Sequence, residues 1–201
     1  MNKFLLCSLL VLGTLPLLYP LRKVAAKDDV GVHIVKDVLD QLWDYQSKSV
    51  EGKKHVGFDI PEMLVNQYIA YLIESKTRLG LNAATIKITG KNKVDIDCDI
   101  DLIQIRRWNP ALMKLDPLLA DKDDLKVFAA ATVEITNGMA KVSIVSARDA
   151  TGGVGLEVIQ KLFRLIGQRQ PEHFDIDQPI KLPFDLSVAM TNGTVSGKTT
   201  K

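Results

Sequence analysis

A chain of 201 residues with 46% hydrophobic content suits one domain built on a single core. Its formal net charge of +2 counts Lys3, Arg22 and Lys23, while residues 1–26 hold no acid; the remainder balances 23 basic against 24 acidic residues. That balance lacks the basic footprint of a nucleic-acid binder, and Cys98 as the one cysteine after Cys7 excludes an intrachain disulfide in residues 27–201.

Residues 1–26 have the parts of an export signal: Lys3, an apolar run from Phe4 to Leu21, and Val24-Ala25-Ala26 as a small-residue cleavage site. The run is long for a signal, contains Gly13, Pro16 and Pro20, and is followed by Arg22 and Lys23. An uncleaved N-terminal membrane anchor over residues 4–21 therefore stays open beside the cleaved signal peptide. Either way the expectation is a periplasmic or otherwise extracytoplasmic protein. Cys7 comes too early, without small residues before it, for a lipid-attachment site.

Residues 27–57 read as an N-terminal amphipathic helix and linker. Val35, Val38, Leu39, Leu42 and Trp43 recur at helical spacing, and the helix should end near Ser47, with Ser47 to His55 a polar loop. Ile60-Pro61 then predicts a helix starting at Pro61, with Leu64, Val65, Tyr68, Ile69, Leu72 and Ile73 as its apolar stripe and Gly80 as its stop.

Ala84 to Thr89 leads through Gly90-Lys91-Asn92 into Val94 to Leu102, where five apolar residues alternate with Asp95, Asp97, Asp99 and Asp101. Such a strand covers a core on one face and meets water on the other, because a one-residue slip would bury every carboxylate. The three-residue loop pairs Ile88 with Val94 and Lys87 with Asp95. Between Gln104 and Asp124 the alternation stops; Asn109 as a cap and Pro110 at the first position predict a short helix that Pro117 breaks.

Val127 to Thr136 and Met139 to Ala147 form a hairpin about Asn137-Gly138, a type I′ sequence, with Val133 opposite Val142, Glu134 opposite Lys141 and Ile135 opposite Ala140. A helix from Leu156 to Ile166 follows, polar only at Glu157, Gln160, Lys161 and Arg164, and so expected to be buried on more than one side. A last hairpin runs from Leu182 through Phe184, Leu186, Val188 and Met190, turns at Asn192-Gly193 and returns over Thr194 to Lys198; Pro183 belongs near an edge or bulge.

The search for chemistry yields little. Alternate strand residues stand roughly 6.6 Å apart, so a straight Asp ladder cannot converge oxygens on calcium, and the calcium-loop spacing puts Ile100 and Arg106 where Gly and Glu are needed. Gly152-Gly153-Val154-Gly155 lacks both the dinucleotide fingerprint and the lysine of a nucleotide loop, and reads as a strand-to-helix turn. His33, His55 and His173 stand in polar or terminal segments, no serine occupies a nucleophile elbow, and Cys98 is a small core residue. No enzyme, no metal and no cofactor is expected. The apolar surplus at Trp108, Leu112, Met113, Leu115, Leu118 and Leu119 reads as core, or as a lip toward a membrane or a partner.

A helix beginning Ile60-Pro61-Glu62 and carrying Val65-Asn66-Gln67-Tyr68-Ile69, two hairpins, a further helix, and a closing Ile180-Lys181-Leu182-Pro183-Phe184 strand with Asn192-Gly193 resemble small bacterial envelope proteins of the tubular lipid-binding (TULIP) type. The likeness covers most of residues 58–198. It implies a lipid-binding-like α+β domain over residues 58–201, a strongly curved antiparallel sheet of hairpins wrapped around one or two long helices, and binding or transfer of a lipid or acyl chain at the envelope. Ile96, Cys98, Ile100, Val133, Val142, Phe184, Leu186 and Val188 would line the sheet side of its apolar groove, with Tyr68, Leu72, Leu162 and Phe163 closing it. The alternative is a membrane-tethered domain with a filled core that docks onto another envelope protein through residues 108–119.

Overall fold

The computed structural model describes residues 30–47, 54–75, 79–111, 117–170 and 173–200. The expected leader, residues 48–53 of the polar loop, and the candidate contact residues Leu112, Met113 and Leu115 lie outside them.

Helix α1 (Val30–Ser47) buries Val32, Val35, Leu39, Leu42 and Tyr45, one stripe at three- and four-residue spacing. Val38 and Trp43 are only half-buried; the Trp43 ring meets Phe184 edge-on at 4.7 Å between centroids. Strand β1 (Gly57–Pro61) occupies the stretch read as the lead-in to a helix, and pairs antiparallel with β8 (Thr194–Thr199). Five residues with two apolar positions give little periodicity; the strand exists because Ile60 faces the core and the Phe58 ring lies on Gly197, where a Cβ would come within 2.2 Å of the ring.

Pro61 ends β1 and stands as N-cap of helix α2 (Glu62–Glu74), one residue after the expected start. The helix buries Val65, Tyr68, Ile69, Leu72 and Ile73 as its sequence stripe indicates. Its polar residues cap the sheet. Asn66 donates to the Ile86 carbonyl at 2.9 Å and accepts from the Ile86 N–H at 2.8 Å, and the Glu62 carboxylate accepts from the Ile88 N–H at 2.5 Å. The free edge of β2 (Leu81–Gly90) is thus satisfied by helix side chains where another strand would otherwise pair.

Strand β3 (Lys93–Asp101) pairs with β2 in the expected register, Lys87 with Asp95 and Ile88 with Val94. Leu102 is not its last residue. It opens helix α3 (Leu102–Trp108), because the Asp101 carboxylate accepts from the Gln104 N–H at 2.8 Å and so caps that helix. Asn109, expected as an N-cap, is instead the C-cap of α3, its N–H donating to Ile105. Pro117 starts the short helix α4 (Pro117–Ala120), as suits a residue with no N–H to give; the helix expected before it falls largely on residues 112–116, outside the described ones.

Strands β4 (Asp124–Thr136) and β5 (Met139–Asp149) form the Asn137-Gly138 hairpin with Val133, Glu134 and Ile135 opposite Val142, Lys141 and Ala140. Both turn residues have the positive φ that a type I′ turn demands, 51° and 73°. Gly138 is doubly constrained, since a Cβ there would also meet the Phe184 carbonyl at 2.7 Å. Helix α5 (Leu156–Arg169) buries only one face, Ile159, Leu162, Phe163, Ile166 and Gly167; Val158 and Leu165 are half-buried and Leu156 is exposed, against the expectation of burial on several sides. The last strand is shorter than its alternation suggested: β6 (Ile180–Lys181) pairs with the start of β5, Leu182 to Asp185 bend around the Asn137-Gly138 turn, and β7 (Leu186–Thr191) begins after Pro183.

The result is an α+β fold whose eight-stranded antiparallel sheet, β1-β8-β7-β4-β3-β2 with β5 and β6 beyond β4, is not closed. Helices α1, α2, α3 and α5 contribute to one apolar core with the inward residues of every strand from β1 to β5, β7 and β8. The β2–β3 turn joins the two halves of the sheet. Asn92, at φ 54°, donates its N–H to the Met190 carbonyl, accepts the Met190 N–H on its side chain at 3.0 Å, and offers its carbonyl to the Val133 N–H at 2.9 Å. Replacing Asn92 with Ala removes the side-chain bond and forces a Cβ residue with no local compensation into that φ. Urea unfolding should show a loss of about 2 kcal/mol for Asn92→Ala, and a smaller loss for Asn92→Gly, which relieves the backbone.

Candidate functional site

The structure brings all twelve expected groove residues together. Ile96, Cys98, Ile100, Val133, Val142, Phe184, Leu186 and Val188 face Tyr68 and Leu72 of α2 and Leu162 and Phe163 of α5 within a single core. They do not line an open channel. Their exposures run from 0% at Ile100 to 7% at Val188, so the space between sheet and helices is filled by their own side chains. Burial first, and then the neighbouring Asp97 and Asp99 charges, push the Cys98 thiol up to about 12. It stays protonated and unreactive at neutral pH.

Trp108, a member of the expected lip, is half-buried and closes over Gly80 together with Ile166. Leu119 is fully buried. Both pack against the core, Leu119 wholly and Trp108 in part.

The glycine-rich turn after β5 is organised by a residue that sequence reading passed over. Asp149 is 1% exposed and its carboxylate accepts from the Thr151 N–H at 3.2 Å, the Thr151 hydroxyl and the Val154 N–H at 3.0 Å, with Lys122 Nζ at 3.9 Å. Those two N–H groups are already committed to a carboxylate and do not await a phosphate. Burial alone would raise the Asp149 pKa; the Thr151 hydroxyl, the Val154 and Thr151 N–H groups and the Lys122 charge outweigh it and hold the carboxyl down to about 2. The signal was present in Asp149-Ala150-Thr151, a carboxylate two residues before a hydroxyl at the end of a strand.

The other face of the sheet carries no described helix and holds two hollows. One, of about 520 Å³, lies across β2, β3, β4 and β5; the other, of about 550 Å³, lies across β1, β8 and β7 and the end of β4. Each runs between two outward-facing cross-strand rows, over the backbone of the inward row between them. The Asp ladder stands on this face, as its alternation requires, and Lys126 on β4 meets Asp97 at 3.4 Å. Burial, and after it the charge of Asp124, raises the pKa of Asp99; Lys126 opposes this, and Asp97 and Asp101 add to it.

Among the described residues no group of three His, Cys, Asp or Glu side chains is placed to hold a metal ion. His33, His55 and His173 are exposed; His55 Nδ1 lies 3.3 Å from the Thr199 hydroxyl, and Asp177 near His173 is engaged by Arg164 at 2.5 Å. No described helix is long and apolar enough to cross a membrane. No family model matches the chain, and no curated protein or solved structure matches it either.

The two perturbed carboxylates give opposite pH dependences. Asp149 has its folded pKa below the ordinary 3.8, so its stabilisation is full above that value and is lost as pH falls toward 2. Asp149→Asn should cost about 2 kcal/mol at pH 7, with the gap from wild type narrowing on acidification. Asp99 has its folded pKa raised, so its ionised form opposes folding at neutral pH. Asp99→Asn should therefore raise the urea midpoint at pH 7 and leave it unchanged at pH 3, where the wild-type carboxyl is protonated in both states.

Proposed function

We propose that this chain is a non-enzymatic docking protein of the cell envelope, in which a leader or anchor over residues 4–21 delivers a filled-core α+β domain to the extracytoplasmic side of a membrane. The bare face of the sheet is its working surface. The observation that carries this reading is the contrast between the two faces: the interior residues are at most 7% exposed at the positions where a lipid would lie, whereas both described hollows open on the side away from the helices. In finer architecture we read the domain as TULIP-like, with the sheet curved around α2.

Carriage of an acyl chain between sheet and helices is the second reading. It is favoured by the unbroken apolar lining from Ile60 on β1 through Met190 and Val133 to Val142 on β5. Separating the helices from that lining would create a continuous greasy channel.

Native mass spectrometry of the chain purified from the envelope, followed by solvent extraction, separates the two. The docking reading expects a lipid-free mass and a co-purifying protein partner; a stoichiometric lipid establishes carriage instead. The variant Ile100→Lys gives an independent measurement. In a filled core the buried ammonium should cost about 4 kcal/mol or prevent folding, while in a carrier the variant should fold and lose only its lipid.

A further inference from the structure

The hollow across β2 to β5 has a charge layout that specifies a ligand. On β2 it is flanked by Lys87 and Thr85, on β3 by Asp95 and Asp97, on β4 by Ala130 and Phe128, and on β5 by Ser146 and Arg148, with Lys87 directly opposite Asp95 in the ladder but not within ion-pair distance of it. Asp95 and Asp97 are alternate residues of one strand, roughly 7 Å apart, so a cation between them reaches both carboxylates. Among the described residues Asp95 has no ion-pair or hydrogen-bond partner, while Asp97 shares Lys126.

At the opposite wall the Arg148 guanidinium lies 5.2 Å from the Phe128 ring centroid, and no described residue gives it an acceptor. A guanidinium stacked on a ring, with its five N–H donors unengaged, is a fork for a phosphate or carboxylate. Carboxylates and guanidinium stand two ladder steps apart, about 10 Å between strand axes. The strand between them offers the Ala130 methyl group and the Phe128 ring, with the Lys126 ammonium, held by Asp97, 5.4 Å from that ring's centroid.

Arg148 faces the hollow because of a defect in the ladder. The pairing of β4 with β5 slips between Ala130 and Ala131, where Ala130 faces Ser146 and Ala131 faces Ile144. Val145 is the extra residue, 65% exposed, and it reverses the alternation of everything after it. Ser146 and Arg148 thereby turn outward, while Asp149 turns in to hold its loop.

We propose that this hollow binds a small zwitterion, with its ammonium between Asp95 and Asp97, its short carbon spacer over Ala130 and Phe128, and its phosphate or carboxylate on Arg148 and the Ser146 hydroxyl. Phosphoethanolamine carries this chemistry as a free molecule and as the headgroup of a zwitterionic phospholipid. The site goes beyond the docking reading and holds whether or not the interior takes an acyl chain.

Isothermal titration of the full chain with phosphoethanolamine, inorganic phosphate and ethanolamine tests it. The expected result is binding of phosphoethanolamine at least about tenfold tighter than of either half, with Arg148→Gln and Asp95→Asn each weakening it roughly tenfold. Both side chains are exposed, so both variants should keep the wild-type melting temperature. Equal affinity for phosphate alone, the absence of any binding at millimolar ligand, or undiminished binding by a folded Arg148→Gln variant would overturn the site. Comparing wild type with Arg148→Gln on phosphatidylethanolamine and phosphatidylglycerol vesicles identifies the source. A wild-type advantage confined to phosphatidylethanolamine assigns a membrane headgroup, and equal flotation with titration binding retained assigns the free zwitterion. Loss of a lipid-free mass in the earlier experiment would revise the docking reading and leave this one standing.

Discussion

A strand of 13 residues needs partners for its backbone along both edges, and β4 cannot find them in β3 alone. The β3 pairing ends at Lys93 opposite Thr132, and the remaining N–H and C=O groups of that edge are met by Asn92 at Val133 and by β7 at Ile135. The sheet therefore changes partner halfway along its central strand. Everything that follows in space, the β7–β8 hairpin, β1 beyond it, and α2 tied by its first N–H to the Gly193 carbonyl, is placed by that exchange.

What the sequence reveals and conceals follows from the range of the forces involved. The register of both Asn/Gly-turned hairpins between β2 and β5 was legible because turn chemistry and alternation act over a few residues. Helix α2 was legible from Pro61 and its stripe. Strand β1 was not, because five residues such as Gly57 to Pro61 become a strand only through a partner more than 130 residues away in the chain. The α3 cap was hidden for a different reason: Asp101 continued an alternation so regular that its second use, as acceptor for Gln104, was masked by the first.

The candidate groove residues share one core, since inward parity and helical stripes suffice to say which side chains turn toward it. Whether they meet across a space or in contact depends on side-chain volumes summed over the helices and the seven strands of that core, which no local pattern encodes. The hollow on the bare face was equally inaccessible. It depends on a one-residue bulge at Val145, and the letters Ile144-Val145-Ser146 give no sign of which residue is the extra one. Asp149 shows the cost of that ambiguity, since regular alternation from Ala140 would have put it in water.

The end of the sheet at β2 is closed by a helix, through Asn66 and Glu62, and this ties two surfaces that ordinarily evolve apart. A helix packed by apolar contacts alone tolerates rotation by a few degrees and gradual exchange of its stripe. One whose amide side chain stands in for a strand residue has its rotation and height fixed to within hydrogen-bond tolerance. In this molecule the number of strands is therefore a property of a helix face: loss of the amide at position 66 would bare an edge before it altered the core.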